Sequence, residues 1–234
     1  MCFHRKLVLH LNDDWQLKIC VLKSPTAHSR ATAAVRPNQK RNNDQINMSR
    51  KLILYIATSL DGYIAQPNDD LSFLSIVDQE GQDYGYADFV KTVDTVIVGR
   101  KTYDKVTAMG FEFPHADKDA YIITRTPKKS SGSVHFYTED LKLLVEKLKS
   151  ENGKNIYCDG GAEIVNELLK ADLIDEFIIS VIPILVGNGT KLFNDGRPEM
   201  KLELASVKSF DKGLIQMHYK RTEDWANIYP LQKV

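Results

Sequence analysis

The sequence predicts an α/β protein with a mixed, mainly parallel central sheet, helices on both faces and a C-terminal antiparallel hairpin. Three observations carry this expectation. Short, nearly continuous apolar runs alternate with stretches of helical period, as in a sheet covered on both sides. Glycine stands where two of those runs give way to helix, at Gly99 and at Gly160-Gly161. The last patterned segments, residues 202–210 and 214–221, alternate about Asp211-Lys212-Gly213, the sign of a hairpin with a short glycine turn.

Residues 1–47 differ from the rest. The first half, through Leu22, has some apolar character, and residues 24–47 are polar and basic, which reads as disordered. The 1–47 segment carries eight Lys and Arg against three Asp. A basic arm of this kind suits nucleic acid or a transit peptide, but a dispensable extension that is not native is the plainer reading. Met48 stands before the first well-patterned strand and is a candidate start. The expected division is therefore an extension over 1–47, one domain-sized unit over 48–221 and a tail over 222–234.

Residues 51–58 (KLILYIAT) read as a central strand buried on both faces. Residues 59–65 leave it as a loop, and 66–80 are polar and loop-like with a turn at Pro67-Asn68-Asp69-Asp70. A helix is expected over 79–92, carrying Tyr84, Tyr86, Phe89 and Val90. Residues 95–98, 120–124 and 133–137 read as further strands. Residues 138–150 form an amphipathic helix with Thr138 as its expected N-cap. The most informative stretch is 155–193. There Ile156-Tyr157-Cys158 is a buried strand, Asp159-Gly160-Gly161 breaks it, and Ile164, Val165, Leu168 and Leu169 fall on one helical face. A strand over 176–182 follows, and Pro183 stops it.

Three of these strand ends carry phosphate-friendly chemistry. A helix N-terminus offers free N–H groups and the positive end of a dipole, and glycine lets a phosphate reach the backbone. At Gly160-Gly161 the alternative is a glycine pair that only makes a tight turn. At Gly99-Arg100-Lys101-Thr102 two cations and a hydroxyl open a helix. Cations are unfavourable at that end unless an anion offsets them, which weakens the alternative of an ordinary helix start. At Thr124-Arg125 a strand again exits into a hydroxyl and a cation. Ligands in such sheets collect outside the carboxyl ends of the strands, so three such ends suggest one ligand with several phosphates.

Composition narrows the rest. Basic and acidic residues balance at 31 each, which gives no general nucleic-acid or membrane surface. Three widely spaced cysteines form no disulfide framework or CxxC pattern, which suits a reducing cytoplasmic setting. Six scattered histidines form no HxH or HExxH pair, so no metal site is expected. No apolar run approaches the roughly 18 residues that span a bilayer, and Asp13 and Asp14 interrupt the only apolar N-terminal stretch.

The ordered motifs resemble the dihydrofolate reductase superfamily, and most closely its branch related to the reductase domain of bacterial riboflavin biosynthesis. The likeness rests on 57–65 (ATSLDGYIA), 98–103 (VGRKTY), 122–125 (IITR), 159–162 (DGGA) and 183–193 (PILVGNGTKLF), in that order over about 48–221. It implies a dihydrofolate-reductase-like fold and an NADPH-dependent reductase, commonly a homodimer, acting on a small molecule. It implies that Gly99, Arg100, Lys101 and Thr102 hold cofactor phosphates and that Gly160, Gly161 and Ala162 hold the pyrophosphate. Thr124 and Arg125 would meet the adenosine side and its 2′-phosphate, while Ala57, Ile64 and Ala65 would line the nicotinamide. Positive charge at Arg125 and Lys101 agrees with NADPH over NADH.

Two features depart from that pattern. Asp159 and Glu163 bring negative charge beside the expected pyrophosphate, unless they cap the helix. Dihydrofolate reductases hold the pterin with a carboxylate on the preceding helix; here Asp83 and Asp88 lie in that stretch, and spacing selects neither. Phe73, Tyr84, Tyr86 and Phe89 are candidates for a stacking wall, with core packing the competing role for Phe89. The proton that follows hydride would come from water or from Ser59 or Asp61, although Asp61 equally suits a turn before Gly62. The riboflavin-pathway substrate is 5-amino-6-(5-phosphoribosylamino)uracil, and Lys191 is the candidate for its phosphate. The competing expectations are dihydrofolate reduction proper and a nucleotide-binding protein without turnover. A nucleic-acid role rests only on the N-terminal basic arm.

Overall fold

In the computed structural model, the described residues are 9–12, 16–19, 50–108, 110 and 113–222. Strand β1 (Leu9–Asn12) pairs antiparallel with β2 (Gln16–Ile19). The expected disordered segment 24–47 lies outside the described residues, as do residues 223–234 of the expected tail.

β3 (Leu52–Ser59) is the central strand. It pairs in parallel with β8 (Asn155–Gly160) on one side and with β9 (Glu176–Ile182) on the other. β5 (Val93–Gly99) lies parallel beside β8, followed by β6 (Asp119–Ile123) and β7 (Val134–Tyr137). On the far side β12 (Ile215–Arg221) runs antiparallel to β9, and β11 (Leu202–Ser209) antiparallel to β12. The sheet has eight strands in the order β11-β12-β9-β3-β8-β5-β6-β7. Two short strands, β4 (Tyr63–Ala65) and β10 (Thr190–Lys191), pair separately beside it.

Alternate residues of the strands feed two cores, because successive side chains point to opposite faces. Leu52, Leu54, Ile97, Ile156 and Cys158 pack with Leu144 and Val145 of α3 (Leu141–Ser150) and Val165 and Leu168 of α4 (Ala162–Lys170). On the other face Ile53, Val96 and Tyr157 pack on Phe89 of α1 (Tyr86–Lys91). Val98, Ala120 and Ile122 meet Tyr103 and Val106 of α2 (Arg100–Ala108). The mixed, mainly parallel sheet with helices on both faces is thus the one the sequence predicts.

Two local expectations are corrected. The helix expected over 79–92 is confined to α1, because Tyr84 (φ 54°) and Gly85 (φ 85°) are left-handed and cannot continue a helix. Asp83 instead prepares the helix start, accepting from the Gly85 N–H at 3.0 Å and the Ala87 N–H at 3.1 Å. Thr138 is not the cap of α3; Asp140 is, and its carboxylate accepts from the Lys142 N–H at 2.7 Å. Within the polar stretch 66–80, a short 3-10 helix, Ser72–Val77, buries Phe73 and Val77 against Ile182 and Leu214.

Candidate functional site

Parallel pairing brings the carboxyl ends of β5, β6 and β8 to one edge of the sheet. Gly99 is in register with Ile123, and Val98 with Gly160. From this edge α2 leaves on one face and α4 on the other, and their first residues touch. A Cβ on Gly99 would stand 3.3 Å from Ile164 Cγ1 and 3.5 Å from both the Gly160 oxygen and the Gly161 nitrogen. Gly160 has φ 98°, a conformation that side chains rarely adopt. The two glycine breaks seen in the sequence are therefore one structural junction.

That junction opens onto a cleft of about 2250 Å³. Most small-molecule sites hold roughly 300–1,000 Å³, so there is room for a dinucleotide and a second ligand. Gly99, Arg100, Lys101 and Thr102 line it, as do Thr124 and Arg125 and, across the junction, Gly161 and Ala162. Ala57, Ile64 and Ala65 line it too, at the end of β3 and on β4. Gly160 is not a lining residue and shapes the junction from behind.

The charges at this end are paired in a way the sequence left open. Glu163, in the first turn of α4, lies 3.3 Å from Lys101 Nζ and 3.8 Å from Arg125 Nη2. The Arg100 Nε donates to both carboxylate oxygens of Asp104, at 2.6 and 2.7 Å, and its guanidinium lies over the Phe136 ring. Neither Asp159 nor Glu163 caps α4: the N-cap is Gly161, and it makes no side-chain cap bond. The first-turn N–H groups of α4 thus lack a capping side chain at the cleft, the arrangement an anion favours. Cations that can be shared, glycine-lined backbone and an uncapped helix fit a pyridine dinucleotide.

The opposite part of the cleft, under the ends of β3 and β9, is built differently. Tyr55, Tyr84, Tyr86 and Tyr157 line it. Tyr157 donates to Asp159 Oδ1 at 2.6 Å, and His115 Nε2 lies 3.3 Å from Asp159 Oδ2. Gln216, from β12, donates to the Tyr55 hydroxyl at 3.0 Å and to Ser180 Oγ at 3.1 Å. Burial pushes the Tyr55 hydroxyl up to about 12 and raises Tyr86 and Tyr157 as well, so all three keep their protons at neutral pH.

Of the expected substrate and catalytic residues, Asp83 lines the cleft, but both its oxygens are engaged at the start of α1. Asp88 is not a lining residue and pairs with Lys91 at 2.6 Å. Ser59 and Asp61 are not lining residues either. Ser59 donates to Asp61 Oδ1 at 2.5 Å, and Asp61 accepts from the Val186 N–H at 3.0 Å and the Gly187 N–H at 2.7 Å. Lys191 also stands apart, over the Tyr63 ring. Phe73 and Phe89 are core residues, while Tyr84 and Tyr86 face the cleft.

Sequence reading undervalued Asp159 and overlooked His115. Asp159 shares a strand face with Tyr157, so period-two spacing could have placed it opposite the apolar core that holds Cys158. His115 is 2% exposed and comes from the connection after α2, where no sequence period marks it.

A family model for the RibD C-terminal domain matches residues 50–216. The chain belongs to the RibD C-terminal domain family. An uncharacterized protein of Bacillus subtilis, YwjB, is 45% identical over 175 residues, covering 74% of this chain and 99% of YwjB. A solved structure named as a riboflavin-biosynthesis candidate from Shewanella sp. PV-4 aligns with a TM-score of 0.67 at 29% identity, covering 74% of this chain and 99% of the other. Dihydrofolate reductase from Enterococcus faecalis, solved with NADP(H), aligns with a TM-score of 0.53 at 16% identity over 74% of this chain and 97% of that one. The last shares the fold, which is dihydrofolate-reductase-like. No helix among the described residues is long and apolar enough to cross a membrane.

Proposed function

We propose that this chain is an NADPH-dependent reductase of a pyrimidine- or pteridine-related small molecule, of the riboflavin-pathway type. The observation that carries the proposal is the single cleft that joins Arg100, Thr124 and Gly161 on one side to a wall of protonated tyrosines on the other. When bound, the cofactor supplies a hydride. The chain's own residues bind and orient. Lys101 and Arg125 hold phosphate groups once they part from Glu163, with Arg125 meeting the 2′-phosphate. The backbone of Gly161 and Ala162 takes the pyrophosphate at the start of α4. Ala57, Ile64 and Ala65 give the nicotinamide an apolar seat.

Tyr86 is proposed to donate a hydrogen bond that orients the substrate. It faces the cleft, keeps its proton at neutral pH, and its ring packs edge-on against Tyr157 at 6.4 Å between centroids. A proton held so firmly is not released, so the one that follows hydride would come from water. Asp61 is less suited: the hydrogen bond from Ser59, backed by the Val186 and Gly187 N–H groups, lowers its carboxyl to about 2, so it carries no proton at neutral pH. The specific riboflavin intermediate, 5-amino-6-(5-phosphoribosylamino)uracil, belongs to this reading as one substrate to be tried. A homodimer working in the cytoplasm completes it. Titration with NADPH and NADH tests the core: NADPH binding in the micromolar range is expected, and failure of both at millimolar concentration removes the reading.

A further inference from the structure

We propose that a second copy of this chain docks on the apolar face formed by β9, β12 and β11; this deepens the homodimer reading by naming its interface. Strand register sorts these three strands into two faces. On one, Ile179, Met217 and Val207 lie side by side, and next to them Val181, Ile215 and Ser209. Tyr219, between Phe177 and Leu204, forms a third row of the same face. Leu204 and Val207 share it although they are three positions apart, because a bulge between Leu204 and Ser206 adds one residue to the strand. The other face is polar, with Ser180, Gln216 and Lys208 in one row. It is already committed, since Gln216 donates to Ser180 and to Tyr55 in the cleft.

The apolar face continues the core beneath α3 and α4, where Phe177 is buried and Ile179 and Tyr219 pack at the margin. α4 stands chiefly over β8 and β5, so the hairpin end of this face stays open to solvent. Val207 is 54% and Ile215 44% exposed, and Val181 and Met217 are half-buried. The three rows hold no charged side chain. With strands about 4.8 Å apart and residues about 6.8 Å apart along each face, three rows of three make a face of about 300 Å². Contiguous apolar surface of that size marks an interaction site. A standard interface buries about 800 Å² per partner, so this face supplies a dry core and the polar residues around it a rim.

The face suits its own copy. It is broad and free of charge, and it carries the twist of its own sheet, so an identical sheet can lie on it about 10 Å away with nearly aligned strands. A two-fold axis in the plane of contact sets apolar rows on apolar rows and leaves no charge buried without a partner. Met217 is the middle residue of the middle row, so an axis through the centre brings Met217 of both copies together. An unlike partner needs an equally uncharged flat face, and interfaces that apolar are typical of homodimers.

Analytical ultracentrifugation of the full chain tests this, and a dimer is expected at micromolar concentration. Val207→Glu puts a charge into the contact and should raise the dissociation constant about a hundredfold or more, with circular dichroism unchanged. Lys208→Glu, on the opposite face of β11, should leave the dimer intact. In the unsubstituted chain, hydrogen exchange over 204–217 should slow as concentration rises through the dissociation constant, which reads the contact without any variant. A chain still monomeric at about 100 μM overturns the inference. So does a dimer that Val207→Glu leaves intact, or one whose exchange over 204–217 ignores concentration. A monomer that dimerises only after residues 223–234 are removed also overturns it, because that segment then covers the face. A monomer that binds NADPH sinks this interface and leaves the cofactor reading, whereas a dimer broken by Val207→Glu that binds neither NADPH nor NADH does the reverse.

Discussion

Asp61 Oδ2 accepts a hydrogen bond from the Gly187 N–H at 2.7 Å, tying the turn after β3 to the loop that leads into β10. Its other oxygen takes the Ser59 hydroxyl and the Val186 N–H. The pair explains why a loop 126 positions away is held beside β4, at the edge of the cleft. The carboxyl lies near 2 against an ordinary 3.8. A depressed acid stabilises the folded chain above its unfolded value and loses that contribution as pH falls through the folded one. Protection factors at Val186 and Gly187, taken relative to intrinsic exchange at each pH, should therefore hold steady down to about pH 4 and fall toward pH 2. Asp61→Asn should show the low protection already at neutral pH, and unchanged protection in that variant would refute the tether.

Arg125 extends from the end of β6 into the cleft, with its side chain 92% exposed. Such a cation gains most from a ligand that brings its own phosphate. Arg125→Ala should weaken NADPH by about tenfold and NADH by much less. Equal losses would show that Arg125 does not read the 2′-phosphate.

Glu163 competes for the same cations, at 3.3 Å from Lys101 and 3.8 Å from Arg125. Both pairs are exposed, so each is weak and screened by salt. Glu163→Gln should tighten NADPH about two- to fivefold at low salt, with the gain shrinking as salt rises. Weaker binding would mean that Glu163 contacts the cofactor favourably, for example at a ribose hydroxyl.

Tyr157 is 3% exposed and donates toward both Asp159 Oδ1 and the Tyr55 carbonyl, at 2.6 and 3.2 Å. Tyr157→Phe keeps the ring and removes a hydrogen bond to a charged group. The expected loss of stability is about 2 kcal/mol, read from the urea midpoint. An unchanged midpoint would show that Asp159 is satisfied without it.

The sheet and its buried strands were legible in the sequence, because continuous apolar runs such as 52–57 and 96–98 have few other ways to leave water. The sequence also marked the dinucleotide end. Glycine, cations and hydroxyls at Gly99–Thr102, Thr124-Arg125 and Gly160-Gly161 are local chemistry, and each segment carries its signal within a few residues. Tertiary structure alone decided the other end. Asp159, His115, Tyr86 and Gln216 come from separate parts of the chain and share one site only because β8, α1 and β12 meet there. The left-handed turn at Tyr84-Gly85 also stayed hidden, since an aromatic side chain in that conformation depends on packing with Phe210 and on no local preference. Periodicity records which residues avoid water, whereas a binding wall is made of residues that long-range pairing brings together.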